Sequence, residues 1–253
     1  MIKLKRILRL FTLAGTAFLM PLIIGSVNPQ SSLSTVALAE EEKKEPKYKN
    51  VKTRQRQSVG AKCAKALEKV QVVLEEEENF VQSMSMLEDI EASSKTCKSP
   101  YEQTQIWKFK GYVYYSLNDF ARAIRSYRQV INGEGTPQDL RLDTRYTLAQ
   151  LYTAEERYAE AAKELETWMA ESTIVGNDAR ALLAQIYYQL ERKADSLRMI
   201  ETAINDVEAK GMLPKERWWS LQRVLYYEKN DYKRVVSILE KLVKHYPKWT
   251  YWK

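Results

Sequence analysis

Histidine occurs once in this chain of 253 residues, at His245. A histidine-based metal centre has no second ligand within the chain, and a His-dependent catalytic triad has no defined nucleophile beside it. The chain contains neither a GxxxxGKS/T loop nor a GxGxxG run after a strand, so neither of the common phosphate cradles is available. Glu75 to Glu78 are four successive carboxylates, but on a helix they point in different directions and read as a solvated helix end. His245 stands near the end of the last complete helix pattern, where a partly exposed cation suits the helix C-terminus. A hydrolase would need paired carboxylates in a cleft, and no local constellation favours one. The sequence therefore predicts a protein that is not an enzyme, with no catalytic residues, no metal and no cofactor. Glycine and proline are also scarce, at eight and seven residues, leaving few interruptions to regular structure. Aromatics are plentiful, with 16 Tyr and 6 Trp.

Acid is missing from residues 1–39, which carry Lys3, Lys5, Arg6 and Arg9, then an apolar run from Leu10 to Ile24, then Ala37-Leu38-Ala39. A basic start, an apolar stretch and a small-residue triplet predict a secretory signal cleaved after Ala39, and hence a periplasmic protein. The alternative is an uncleaved leader, since Leu10–Val27 is nearly long enough to span a bilayer and is broken only by Pro21. In that case the chain would be a membrane-tethered adaptor for envelope assembly or cell-wall enzymes. The leader holds four of the 40 Lys and Arg, so the remainder stands near +3 against 33 acids. That weak balance removes the main argument for a nucleic-acid partner. No later run is apolar enough to cross a membrane, so contact with the membrane is expected only through the leader.

Residues 40–60 are charged and weakly apolar. They are expected to form a solvated linker or arm, having too little to bury. From Ala61 onward apolar residues recur at spacings of three and four, without sustained alternation, predicting about ten helices. Ser99-Pro100-Tyr101-Glu102 reads as a capping box with proline at the first helical position, and Thr136-Pro137 reads as a similar start. Asn132-Gly133 and Gly211 read as helix C-terminal stops in the left-handed conformation.

The helical pattern repeats. Aligning residues 107–130, 146–168 and 182–203 superimposes Gly111, Ala149 and Ala184, then Tyr114, Tyr152 and Tyr187, then Ala123, Ala161 and Ser196. Small residues at facing positions let two antiparallel helices approach closely, and the large rings beside them fill the space between hairpins. This pattern resembles the tetratricopeptide repeat (TPR), a helix pair of about 34 residues with a small residue at position 8, Tyr at 11, Ala at 20 and an aromatic at 24. Trp107, Gly111, Tyr114, Ala123 and Tyr127 match it closely. The position-8 markers Gln71, Gly111, Ala149, Ala184 and Arg223 lie 40, 38, 35 and 39 residues apart, with the excess in loops, where it costs least. The resemblance implies an all-α TPR superhelix, an α-solenoid of about five helix-turn-helix repeats over residues 61–253. The repeats fall near 64–97, 104–137, 142–175, 177–210 and 216–249. Repeats one and five are degenerate, as terminal repeats tend to be. After Tyr246-Pro247 come Trp249, Tyr251 and Trp252, which open a further helix, cap repeat five or meet a partner.

The same resemblance places the inner surface at helix A positions 2, 5, 9, 12 and 13. Candidate partner-binding residues are then Lys108 and Tyr146 at position 5, Tyr112, Gln150 and Gln185 at position 9, and Tyr115, Tyr188 and Tyr227 at position 12. Successive helix residues lie about 100° apart, so in Tyr114-Tyr115, Tyr187-Tyr188 and Tyr226-Tyr227 the first ring is expected in the core and the second in the groove. Such a surface suits an extended or helical peptide. The Lys and Asn clamp that some TPR domains use on a terminal carboxylate is not reproduced. Export and the hairpin geometry predict a disulfide between Cys63, at the start of the first helix, and Cys97, after the second. More narrowly, the leader, the charged arm, the QIW and GYVYYS runs, YTLAQLY and the YPKWTYW ending are similar to periplasmic TPR proteins encoded with TonB, ExbB and ExbD. That similarity implies an envelope protein or peptide partner, with TonB-system components as candidates.

Overall fold

The structure, a computed structural model, describes residues 47–49, 58–75, 78–93 and 95–251. The leader expected at 1–39, most of the arm and Trp252 lie outside the described residues. Ten α-helices follow one another in the described chain: α1 (Ala61–Glu75), α2 (Phe80–Ala92), α3 (Pro100–Ser116), α4 (Phe120–Asn132), α5 (Gln138–Ala154), α6 (Tyr158–Glu171), α7 (Asn177–Gln189), α8 (Lys193–Ala209), α9 (Glu216–Glu228) and α10 (Tyr232–His245). A 3-10 turn, Trp249–Tyr251, closes them. Each helix packs chiefly on the ones before and after it, so five hairpins stack in an all-α solenoid. None of these helices is long and apolar enough to cross a membrane.

The helical period explains the packing. In α4 the buried apolar residues are Ala123, Ile124, Tyr127, Val130 and Ile131, a single stripe at spacings of three and four. One apolar cluster runs from Ala123 to Tyr187, and a second from Ala181 to Leu242. The position-20 residues Ser83, Ala123, Ala161 and Ser196 are fully buried. Ser196 Oγ donates to the Ala184 carbonyl at 2.7 Å, a close approach of the two small positions. At Gly111 a Cβ would lie 2.8 Å from the Tyr127 ring, so glycine makes room for the aromatic of its own hairpin.

The register also shows in the backbone. Five non-glycine residues have positive φ among the described residues: Glu78, Asn118, Glu156, Glu191 and Asn230. Each stands seven residues after its position-8 marker, in the degenerate terminal repeats as well. Here the chain turns from helix A to helix B through one left-handed residue, a conformation that disfavours a Cβ. We expect Glu156→Gly and Glu191→Gly each to stabilise the protein by up to about 1 kcal/mol, the relief of strain exceeding the entropy that glycine adds to the unfolded chain. Asn118→Gly should gain less, because asparagine tolerates this region better. Shifts in urea midpoint measure the difference.

The left-handed turn residue is followed by a charge pair of variable polarity. Asp119, Arg157, Arg192 and Asp231 occupy position 16, and Arg122, Glu160, Asp195 and Arg234 position 19, each pair ion-bonded. Whichever member is arginine lies over the position-11 tyrosine: Arg122 on Tyr114, Arg157 on Tyr152, Arg192 on Tyr187 and Arg234 on Tyr226, with 4.0–4.9 Å to the ring centroid. The stacking is retained while the signs swap, consistent with cation–π attraction. Only the aspartates also cap helix B through their side chains.

Several local expectations hold. Ser99 and Glu102 form the capping box, and the buried Glu102 carboxylate accepts N–H bonds from Lys98, Ser99 and Gly60 at 2.7–2.8 Å. Burial alone would raise its pKa, but these donors hold it below the usual range. Gly211 adopts the left-handed conformation. Cys63 and Cys97 are bonded. Two expectations fail. Gly133 is extended rather than left-handed; a Cβ there would meet Thr136 and Thr104 oxygens within 2.9 Å, so close packing requires the glycine. Thr136 does not cap α5, whose N-cap is Pro137 without a side-chain bond. Its hydroxyl instead donates inward to the Val130 carbonyl at 2.6 Å, closing the end of α4.

The C-terminal rings fold back on repeat five. Tyr246 Oη donates to the Pro214 carbonyl at 2.8 Å, Lys248 pairs with Glu216 at 2.7 Å, and Tyr251 bonds to Glu216 as well. Trp249 remains exposed.

Candidate functional site

Helix A of hairpins two to five carries the candidate residues, and in each tyrosine pair the first ring is the less exposed. Tyr187 and Tyr226 are 6% and 3% exposed, and Tyr114 is partly buried under Arg122. Tyr115 and Tyr227 are 45% and 59% exposed. Tyr112 and Tyr115, three residues apart on α3, share one open face. Tyr115 leans on Phe120 at 5.9 Å between centroids, and Tyr227 meets Tyr232 edge-on at the same distance. Gln150 and Gln185 are exposed on α5 and α7. Tyr188 is half-buried, and its hydroxyl donates to Glu228 on the next hairpin at 3.0 Å.

The inner tyrosines latch neighbouring repeats. Tyr187 Oη donates to Glu166 at 2.8 Å, and Tyr226 donates to Glu201. Burial first, and then these bonds to carboxylates, push both phenols up to about 12. They are neutral donors at any physiological pH.

Lys108 and Tyr146 are less open than expected. Burial pulls the Lys108 ammonium below its usual range, opposed by the nearby Asp143 carboxylate. Tyr146 is partly buried, with its ring 4.7 Å from that of Trp168. Asp143 and Trp168, beside these two residues, hold a neighbour that the sequence did not place there, the arm. Lys47–Lys49 is not a solvated tether. Tyr48 is 2% exposed, and its hydroxyl donates to Asp143 and accepts from Trp168 Nε1 at 3.2 Å. The backbone runs antiparallel to the end of α6: Lys49 N–H donates to the Glu171 carbonyl at 2.7 Å, and Thr173 N–H to the Lys47 carbonyl at 3.1 Å. Lys47 pairs with the same Asp143.

Asp143 and Trp168, the contacts of the arm, are absent from the expected set. The register held a signal for Asp143, which stands at position 2 of repeat three, one of the positions the TPR resemblance assigns to the inner surface. Trp168 lies near the end of helix B, outside that set.

Comparison with known proteins agrees with this architecture. Residues 104–132 match the tetratricopeptide repeat family model. No curated protein matches the chain at the sequence level. Among solved structures, MamA (41-end) from Desulfovibrio magneticus RS-1 is similar at a TM-score of 0.58 with 16% identity, over 74% of this chain and 96% of that one. A putative kinesin light chain from Podosopora anserina, with nearly identical TPR-like repeats, gives 0.54 with 17% identity, over 73% and 97%. The apo form of RapI gives 0.55 with 9% identity, over 72% and 69%. At these identities the likeness is one of fold: the chain forms an all-α TPR-type superhelix.

Proposed function

We propose that this chain is a non-enzymatic protein-interaction scaffold of the bacterial periplasm, accessory to TonB-dependent transport across the outer membrane. The observation that carries the scaffold reading is the set of open tyrosines on helix A. Tyr112, Tyr115 and Tyr227 remain more than 40% exposed although their neighbours Val113 and Tyr226 are buried. Solvent-facing tyrosines offer apolar area with a hydrogen-bonding end at modest entropy cost, the chemistry of a peptide-binding surface. The exposed Gln150 and Gln185, and the partly buried Lys108, Tyr146 and Tyr188, are assigned to the same surface by the TPR resemblance. The disulfide suits an oxidising compartment, in keeping with the basic and apolar leader. The TonB assignment rests on the sequence resemblance.

A photo-crosslinking residue placed at Tyr115, Gln185 or Tyr227 in intact cells tests both levels. Capture of TonB-system proteins supports the full proposal. Capture of cell-wall enzymes alone sinks the TonB assignment and leaves a scaffold, whereas no captured protein from any of the three positions contradicts the scaffold itself.

A further inference from the structure

The docked arm has the properties of a bound peptide. Its contact on repeat three combines a buried aromatic anchor, a hydroxyl held from two sides, a lysine on a carboxylate and a two-bond antiparallel ladder. Main-chain bonds here give affinity and a side-chain socket gives specificity, as in the recognition of extended peptides. The socket is acidic. Asp143 takes both Lys47 and Tyr48, Asp139 adds to the negative field at Tyr48, and the last carbonyls of α6, including Ala170 with Lys49 Nζ at 3.4 Å, face the segment. It is built from solenoid residues alone, and it adjoins the candidate surface through Tyr146, whose ring packs on Trp168.

We propose that Lys47–Lys49 is a built-in competitor occupying a recognition socket of the solenoid. The external ligand of that socket is an extended protein segment carrying a tyrosine flanked by lysine. The inference rests on the scaffold reading and deepens it. Residues 50–57 join the docked segment to Ser58, and so short a tether holds the arm at an effective concentration on the order of 1 mM. A segment that stays docked under those conditions binds the socket with an intrinsic Kd below about 1 mM. The same arithmetic makes it displaceable, because a partner present at high local concentration or with additional contacts along the tyrosine face outcompetes it.

The test uses the full chain and a labelled peptide with the sequence of residues 45–51, Glu-Pro-Lys-Tyr-Lys-Asn-Val. In the Tyr48→Ala protein the socket is vacated while the solenoid is untouched, as circular dichroism and melting will verify. Fluorescence anisotropy should show saturable binding below about 1 mM. Wild type should bind the peptide several-fold to tenfold more weakly, by the fraction of time that its own arm occupies the socket. Adding Asp143→Asn to Tyr48→Ala, or replacing the tyrosine of the peptide by alanine, should remove binding. Absence of saturable binding to the Tyr48→Ala protein, or equal affinity for it and wild type, overturns the proposal. So does a wild-type mass that doubles with concentration while Tyr48→Ala stays monomeric, since the arm then sits on a second copy. If the peptide fails to bind but crosslinked partners are still captured through Tyr115 or Tyr227, this inference falls and the scaffold reading stands.

Discussion

Alanine at Tyr114, Tyr187 and Tyr226 together is expected to abolish cooperative folding, whereas alanine at Tyr115, Tyr188 and Tyr227 leaves it largely intact. The two sets differ by one residue along each helix, and so by about 100° of rotation. Tyr187 and Tyr226 are almost wholly buried, and each ring is pinned by an arginine on its face and a glutamate on its hydroxyl. Truncating a buried large aromatic costs on the order of 3–5 kcal/mol. Tyr114, partly buried, contributes less. Even so, the sum is comparable to the entire stability of an ordinary domain, about 5–15 kcal/mol. In the outer set, Tyr115 and Tyr227 lose only exposed ring contacts. Tyr188 loses a hydrogen bond to Glu228, worth about 1 kcal/mol. Partner binding should fall by about 1–3 kcal/mol for each ring that acts as an anchor. Far-UV circular dichroism with urea titration separates the sets, and identical melting would mean that the register or the assumed inner face is wrong. Normal melting of the outer set with undiminished binding would move the partner to another surface.

That experiment isolates what was legible in the chain. Periodicity places residues on one face of a helix, so the burial of Tyr187 beside the half-open Tyr188 follows from local spacing. The left-handed turn residue confirms the same register from the backbone, including at Glu78 and Asn230, where the small position-8 residue has been replaced by Gln71 and Arg223. Capping at Ser99 and the stop at Gly211 are equally local. The errors share a different character. Gly133 has the residue type of a left-handed stop, yet its role is set by Thr104, on the other helix of its hairpin. Lys110, for which no local pattern signals burial, is buried against Trp107 and paired with Glu91 on α2. The arm reads as a tether because its composition is charged, and composition says nothing about one tyrosine finding Asp143, 95 residues later in the chain. Contacts between helices, between repeats, and between arm and repeat depend on a surface that exists only after packing.

The first repeat is where a single covalent bond should matter most. Its position-8 residue is Gln71 rather than a small one, and no hairpin precedes it among the described residues. The Cys63–Cys97 bond ties the start of α1 to the loop after α2, closing a separation of 34 residues with both cysteines buried. In the chain-entropy account, a loop of that length stabilises by roughly 3–4 kcal/mol. The double variant Cys63→Ser/Cys97→Ser should therefore lose about that much. The loss should be local, because a solenoid repeat draws its support mainly from its immediate neighbours. The N-terminal hairpin is joined to the next by the α2–α3 packing, the Lys110–Glu91 pair and the Gly60–Glu102 bond. Hydrogen exchange should show lost protection in α1 and α2 while α5 to α8 keep theirs, and the single melting transition should split. A uniform loss of protection through all ten helices would mean that the solenoid unfolds as one cooperative unit. Free thiols in protein isolated from its native compartment without reductant would remove the bond, and the export argument that predicts it, together.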